Sequence, residues 1–186
     1  KDMAGVMEAF AENVDPSLGA HLILAGPAVT GVADDPEAAQ VLDDCQERWR
    51  ALAHTMRNRV HLACVPMTDP DEAAAIVNAL QRQATIVTQK SIAEGFGLTV
   101  AEAMWKARPM VASAVGGIAD QITDGEHGLL IDDPTDLASF GARVETLLRD
   151  PAFGQRLGQA ARERANRELL GDRHLEQYGS LFNQLS

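Results

Sequence analysis

The chain has 186 residues, 46% hydrophobic and 23% charged, enough for one well-buried domain and unlike a disordered or fibrous composition. Lys plus Arg is 16 against 27 Asp plus Glu, a net charge of -11 at pH 7, which argues against nucleic acid and acidic membranes as partners, because such binding rests on cations set against phosphates. A small anionic ligand stays open if its charge is met locally, by helix N-termini and single lysines. Cys45 and Cys64 lie apart and form no CxxC, so neither a disulfide framework nor a zinc site is expected, and a reducing compartment is favoured. No apolar run approaches the roughly 20 residues that span a bilayer. The opening residues do not read as a charged-then-apolar leader, so cytoplasm is the expected location.

Met3, Val6, Met7, Phe10 and Val14 recur at helical spacing, and Pro16 ends that helix. Residues 21–25 are a compact apolar run closed by Gly26-Pro27, a buried strand. A polar loop over residues 30–36 and a helix over about 37–56 are expected next, then a second strand from Val60 to Val65, stopped by Pro66. Thr68-Asp69-Pro70-Asp71 opens a helix with proline in its first turn, the placement helices favour. Residues 85–88, 110–113 and 129–131 are expected strands, and helices near 136–149, 152–168 and 173–184 complete the chain. Strands that are apolar throughout and separated by helices indicate a parallel sheet covered on both faces, a doubly wound α/β domain. Ligands of such sheets sit beyond the carboxyl ends of the strands. The whole of 1–186 reads as one domain, with a helical cap at about 151–186.

Chemistry concentrates in the run from Ser91 to Trp105, which follows the third strand and so lies at a carboxyl edge. Gly95 and Gly97 permit positive φ and close approach of backbone to a ligand. Thr99 is expected to start a helix whose first-turn N–H groups can receive a phosphate. Glu94 and Glu102 flank this anion-receiving turn, which suits a nucleotide sugar: the helix end meets the pyrophosphate while the carboxylates accept from hydroxyls. Spacing alone leaves two plainer readings open. Thr99-x-x-Glu102 is also a capping box, and Glu94 before a Gly-Phe-Gly turn is also an exposed loop carboxylate. Val100 stands where a dinucleotide fingerprint needs its third glycine, so the NAD reading fails.

The run EGFGLTVAEAM, with Glu94 and Glu102 eight positions apart, resembles the Glu-x7-Glu motif of glycosyltransferase family 4. The likeness continues through Pro109 to Gly128, where Val115-Gly116-Gly117 and Asp124-Gly125-Glu126-His127-Gly128 match that family's Gly-Gly and Asp-Gly-x-x-Gly turns. It covers nearly the whole chain as the C-terminal, donor-binding, Rossmann-like domain of the two-domain GT-B fold. Gln89-Lys90-Ser91-Ile92, Trp105-Lys106 and Asn78-Ala79-Leu80-Gln81-Arg82 add a closer likeness to the trehalose-forming branch. The resemblance implies that Glu94 holds donor-sugar hydroxyls and faces the positive charge at the anomeric carbon. Gly95, Phe96 and Gly97 would contact the sugar through backbone, Leu98 and Thr99 would serve the diphosphate, and Glu102 the ribose. Lys1 would stand against the phosphates; without the resemblance it reads as a solvated chain end.

The implied reaction transfers glucose from UDP-, ADP- or GDP-glucose with retention, needing no metal or other cofactor, to glucose as acceptor, forming trehalose. Another acceptor, trehalose phosphorolysis, or a non-catalytic nucleotide-binding module are the alternatives, and a homodimer is left open. The chain departs from the family in three ways. The arginine that accompanies the lysine would lie before Lys1. Ala107-Arg108-Pro109 replaces a Gly-x-Pro, which is expected to alter that turn. The acceptor-binding N-terminal domain is absent from these 186 residues, so the isolated chain is expected to bind nucleotide but transfer negligibly.

Asp69-Pro70-Asp71 matches the Asp-x-Asp of metal-dependent transferases but is better explained as a helix start. His21, His54, His61, His127 and His174 show no metal-ligand spacing, and His127, in a glycine-rich turn, is expected at the surface. Phe96, Met104 and Trp105 are candidates for a base pocket or for core, and the base itself is expected near Val65 to Met67.

Overall fold

The structure, a computed structural model, describes residues 1–28, 36–169 and 171–185. Along the chain run α1 (Met3–Asn13), a 3-10 turn (Pro16–Leu18), β1 (Leu22–Pro27), α2 (Pro36–Ala51), α3 (His54–Arg57), β2 (Val60–Val65) and α4 (Pro70–Gln83). They are followed by β3 (Val87–Gln89), α5 (Leu98–Trp105), β4 (Met110–Ser113), α6 (Gly117–Gln121), β5 (Leu129–Ile131), α7 (Leu137–Arg149), α8 (Pro151–Glu168) and α9 (Gly171–Leu185). The polar loop expected over residues 30–36 lies, but for Pro36, outside the described residues.

Aspartates start four of the helices. Asp2 accepts from the Gly5 N–H, Asp69 from Asp71 and Glu72, Asp136 from Ser139 and Asp150 from Phe153, each satisfying donors that a helix leaves open at its first turn. Pro70 and Pro151 add the fixed φ that suits that turn.

Every strand pairing is parallel: Leu24 lies opposite Leu62, Thr88 opposite Val111, and Ala112 opposite Leu130. The strands hydrogen-bond in two groups, β1-β2 and β3-β4-β5. One hydrophobic cluster joins both groups, setting Leu24 and Val60 with Val111, Leu129 and Ile131 beneath Met7 and Phe10 of α1 and Phe140 and Leu147 of α7. Met110 and Ala112, which alternate with Val111, belong to a second cluster with Val100, Ala103 and Met104 of α5, Ile118 of α6 and Ala161 of α8. Successive strand residues face opposite sides, so helices cover both faces of β3-β4-β5 and β4 is buried along its whole length, whereas β1, expected as a buried strand, exposes Ile23, Ala25 and Pro27 on the face that this core does not reach. This is the parallel α/β class the sequence predicts.

The continuous helix expected over residues 37–56 is broken in two. The Trp49 indole donates to the Val60 carbonyl at 2.8 Å, which ties the end of α2 to the start of β2. The chain must reverse in between, and Ala53 does so in an extended conformation (φ -54, ψ 146). Among the described residues no helix is long and apolar enough to cross a membrane, and Cys45 and Cys64 are both free.

Candidate donor site

β3 ends at Gln89, and Lys90 and Ser91 follow it; all three are buried. Gln89 Nε2 donates to Glu94 Oε2 at 2.9 Å and to Ser91 Oγ at 3.1 Å, and Ser91 Oγ lies 3.4 Å from the same Glu94 oxygen. The Ser91 N–H in turn donates to Ser113 Oγ at 3.2 Å, tying the loop to the end of β4. Glu94 is half-buried, and its carboxylate is held through one oxygen by groups anchored in the sheet. It is not a free loop carboxylate.

The loop that follows lies against the turn before α6. Gly97 takes φ 88 and is the N-cap of α5, and a Cβ there would come within 3.0 Å of Ile118 Cγ1. Gly116, at φ 50, packs so closely that a Cβ would overlap the Glu94 carbonyl oxygen. Gly95 is not in the left-handed region, and a Cβ there would meet nothing within 4 Å. The expectation of positive φ holds for Gly97 alone.

α5 begins at Leu98, one residue before the expected start, and no side chain caps it. The capping-box alternative is therefore overturned. Glu102, an exposed residue, accepts from Gln81 Nε2 at 2.7 Å, and Lys106 Nζ holds the Gln81 carbonyl oxygen. Burial lowers the Lys106 pKa, against an opposing pull from Glu102. The N–H groups of Phe96, Gly97, Leu98 and Thr99 have no backbone acceptor among the described residues, so the open end of α5 is available to an anion.

Lys1 reaches this end from 98 positions away: its Nζ lies 3.1 Å from Thr99 Oγ1. What brings it there is the next residue. The Asp2 N–H donates to the Lys90 carbonyl at 2.9 Å, and the Lys90 ammonium, its side chain wholly buried, pairs with Asp2 Oδ2. Asp2 Oδ1 accepts from Gly5 N–H at 2.8 Å. Burial acts to raise the Asp2 pKa, but the Lys90 contact and the Gly5 N–H outweigh it and hold the carboxyl below its usual value. A buried ammonium needs such a partner, and the pairing pins the start of α1 to the exit of β3.

The remaining candidates separate. Phe96 and Leu98 are 50% and 69% exposed, and Trp105 is exposed with the Arg82 guanidinium 6.0 Å from its ring centre, whereas Met104 is core. Residues 66–67 are exposed beyond the carboxyl end of β2. Asp69 serves as the cap of α4. His21 and His61 stack with their ring nitrogens 3.0 Å apart at the amino ends of β1 and β2, away from the motif. No group of three or more metal-ligating side chains forms among the described residues. His127 corrects an expectation, being only 7% exposed. Arg164 of α8 lies over its turn, bonding Thr123 Oγ1, the Asp120 carbonyl and His127 Nδ1. Burial pushes the His127 pKa down, with Glu126 opposing.

Sequence reasoning did not assign Gln89, Ser91, Gln81, Lys106 or the Asp2–Lys90 pair to the site. A signal was available in part, since Gln89-Lys90-Ser91 and Gln81 lie in the stretches that carry the closer resemblance.

A parallel α/β domain of this kind is the architecture of GT-B glycosyltransferases, and the chain belongs to the glycosyl transferases group 1 family, whose sequence model matches residues 1–164. Its fold is similar to that of sucrose-phosphate synthase from Thermosynechococcus elongatus, with TM-score 0.75 and 27% identity, covering 100% of this chain and 42% of that one. Among curated relatives, the trehalose synthases of Pyrococcus horikoshii and Rubrobacter xylanophilus are 43% and 49% identical over 109 residues, 59% of this chain. The matched segment takes in 26% and 25% of those two proteins, about a quarter of their length.

Proposed function

We propose that this chain is the donor-binding half of a retaining glucosyltransferase that uses a nucleoside diphosphate glucose and, in the whole protein, transfers the glucose to glucose to form trehalose. The observation that carries the reading is the meeting of Lys1 with Thr99 at the uncapped N-terminus of α5. An ammonium and a row of open amides there are suited to a diphosphate that gains charge as it departs. Gly95, Phe96 and Gly97 would line the sugar with backbone, and Leu98 and Thr99 would supply donors to the phosphates. Glu94, preset by Gln89 and Ser91, would stabilise the oxocarbenium-like carbon through its field. Glu102, preset by Gln81, would accept from the ribose hydroxyls.

Lys1 and the helix end carry the cationic role, so the mechanism invokes no metal. The acceptor would be held by a further domain outside residues 1–186, so the isolated chain should bind nucleotide without turnover, and a cytoplasmic setting fits. The identity of 43% and 49% to trehalose synthases supports glucose as acceptor.

The test is product analysis with the full-length protein, each of UDP-, ADP- and GDP-glucose, and glucose. Trehalose bearing the donor's glucosyl unit in α-configuration is the expected product. Transfer only to another acceptor would reject the acceptor, and turnover only with trehalose plus phosphate would replace synthesis by phosphorolysis. No nucleotide binding at all would end the donor-site reading.

A further inference from the structure

Three successive carbonyls of the donor loop turn toward α6. The Glu94 oxygen packs against the Cα of Gly116, the Gly95 oxygen accepts from the Gly117 N–H at 2.9 Å, and the Phe96 oxygen accepts from the side-chain amide of Gln121. A planar trans peptide carries its N–H opposite its C=O. Carbonyls held toward α6 therefore send the N–H groups of Gly95, Phe96 and Gly97 the other way. The first two contacts are made by backbone that glycine allows to come close. The third depends on one side chain.

That third contact governs a peptide with freedom to turn. The Phe96–Gly97 unit leads into a glycine, which takes either sign of φ at little steric expense, and here φ is 88. Gln121 is 2% exposed. Its Nε2 is engaged with Phe96, while its Oε1 is buried with no partner among the described residues. An apolar side chain of the same length would avoid that orphaned acceptor, so packing does not explain an amide at this position.

We propose that Gln121 is a positioning residue for donor binding: it fixes the Phe96–Gly97 peptide so that the Gly97 N–H faces the diphosphate. This rests on the donor-site reading above. Gln121 touches no substrate and acts only through the loop.

The test uses Gln121→Met and Gln121→Glu in the full-length protein, with donor KM, acceptor KM, kcat and melting temperature measured for each. Gln121→Met removes the donor and the orphaned acceptor together, so it should fold normally. Its donor KM should rise about tenfold, the equivalent of one lost hydrogen bond to a phosphate, with acceptor KM unchanged. Gln121→Glu keeps the size but cannot donate while ionised. Its donor KM should also rise, and should fall back toward the wild-type value as pH is lowered and the buried carboxyl takes up a proton. Donor KM unchanged in Gln121→Met, or equal losses for donor and acceptor with a lowered melting temperature, would overturn the proposal. Absence of nucleoside diphosphate binding by the wild-type protein would reject the donor site itself, and this inference with it.

Discussion

At the end of α5 an alanine occupies a backbone conformation that favours glycine, so Ala107→Gly should raise the stability of the protein. Ala107 has φ 54 and is the non-glycine residue with positive φ among those described. Its N–H donates to the Met104 carbonyl at 2.9 Å and the Arg108 N–H to Ala103 at 2.9 Å, the paired bonds that close a helix through a left-handed residue. The alanine that stands in place of glycine in this turn is thus held in the left-handed region, under strain. The left-handed conformation costs an L-residue about 1–2 kcal/mol. Glycine gives back about 0.4–1 kcal/mol through its greater freedom in the unfolded chain, leaving, at the middle of both ranges, a net gain of about 0.8 kcal/mol. For a chain of this size that is a rise in Tm of roughly 1–4 °C. Scanning calorimetry and urea unfolding should agree, with the midpoint raised and the slope m unchanged. α8 leans on this turn, since a Cβ at Gly158 would overlap the Ala107 carbonyl oxygen, and loosening should not reach that contact. An unchanged or lowered Tm would refute the strain assigned to Ala107.

In full-length protein, Glu94→Ala should lower kcat at least about 10²–10³-fold, the scale for loss of one electrostatic stabiliser, while the melting curve stays in place; near-normal turnover would remove Glu94 from the mechanism. Gly116→Ala forces a methyl into the Glu94 carbonyl, so donor affinity and melting temperature should fall together, and a variant with wild-type titrations would contradict the close packing. Asp2→Asn leaves the Lys90 ammonium buried with its pairing broken and should destabilise at neutral pH by about 3 kcal/mol in urea unfolding. The Asp2 carboxyl is held below its ordinary value, so its contribution is present above the unfolded pKa and is lost as pH falls through the lowered folded one. The gap between wild type and Asp2→Asn should accordingly close under acid, and a gap that stays constant down to pH 3 would exclude the ion pair as its cause.

The class of fold and the position of the motif were legible because both are local. Apolar runs at strand length, Asp69-Pro70 and the glycines about Phe96 each act within a few residues. The failures share a cause as well: contacts between distant segments. The helix over 37–56 breaks because Trp49 finds Val60. His127 is buried because Arg164 comes over its turn from α8. The start of α5 falls at Leu98 because Ile118 and the Gly116-Gly117 turn fix the backbone of the Gly97 cap before it. Lys1 entered through resemblance alone, and the buried Lys90–Asp2 pair that delivers it to Thr99 joins residues 88 apart, a separation no local pattern reports.

A crystal structure of the full-length protein with a nucleoside diphosphate glucose tests the central claim most directly. The account predicts the diphosphate within about 3 Å of the N–H groups of Gly97 to Thr99, Lys1 on the phosphates, Glu94 on the sugar and Glu102 on the ribose. A nucleotide bound elsewhere, or one whose phosphates avoid the start of α5, would contradict it.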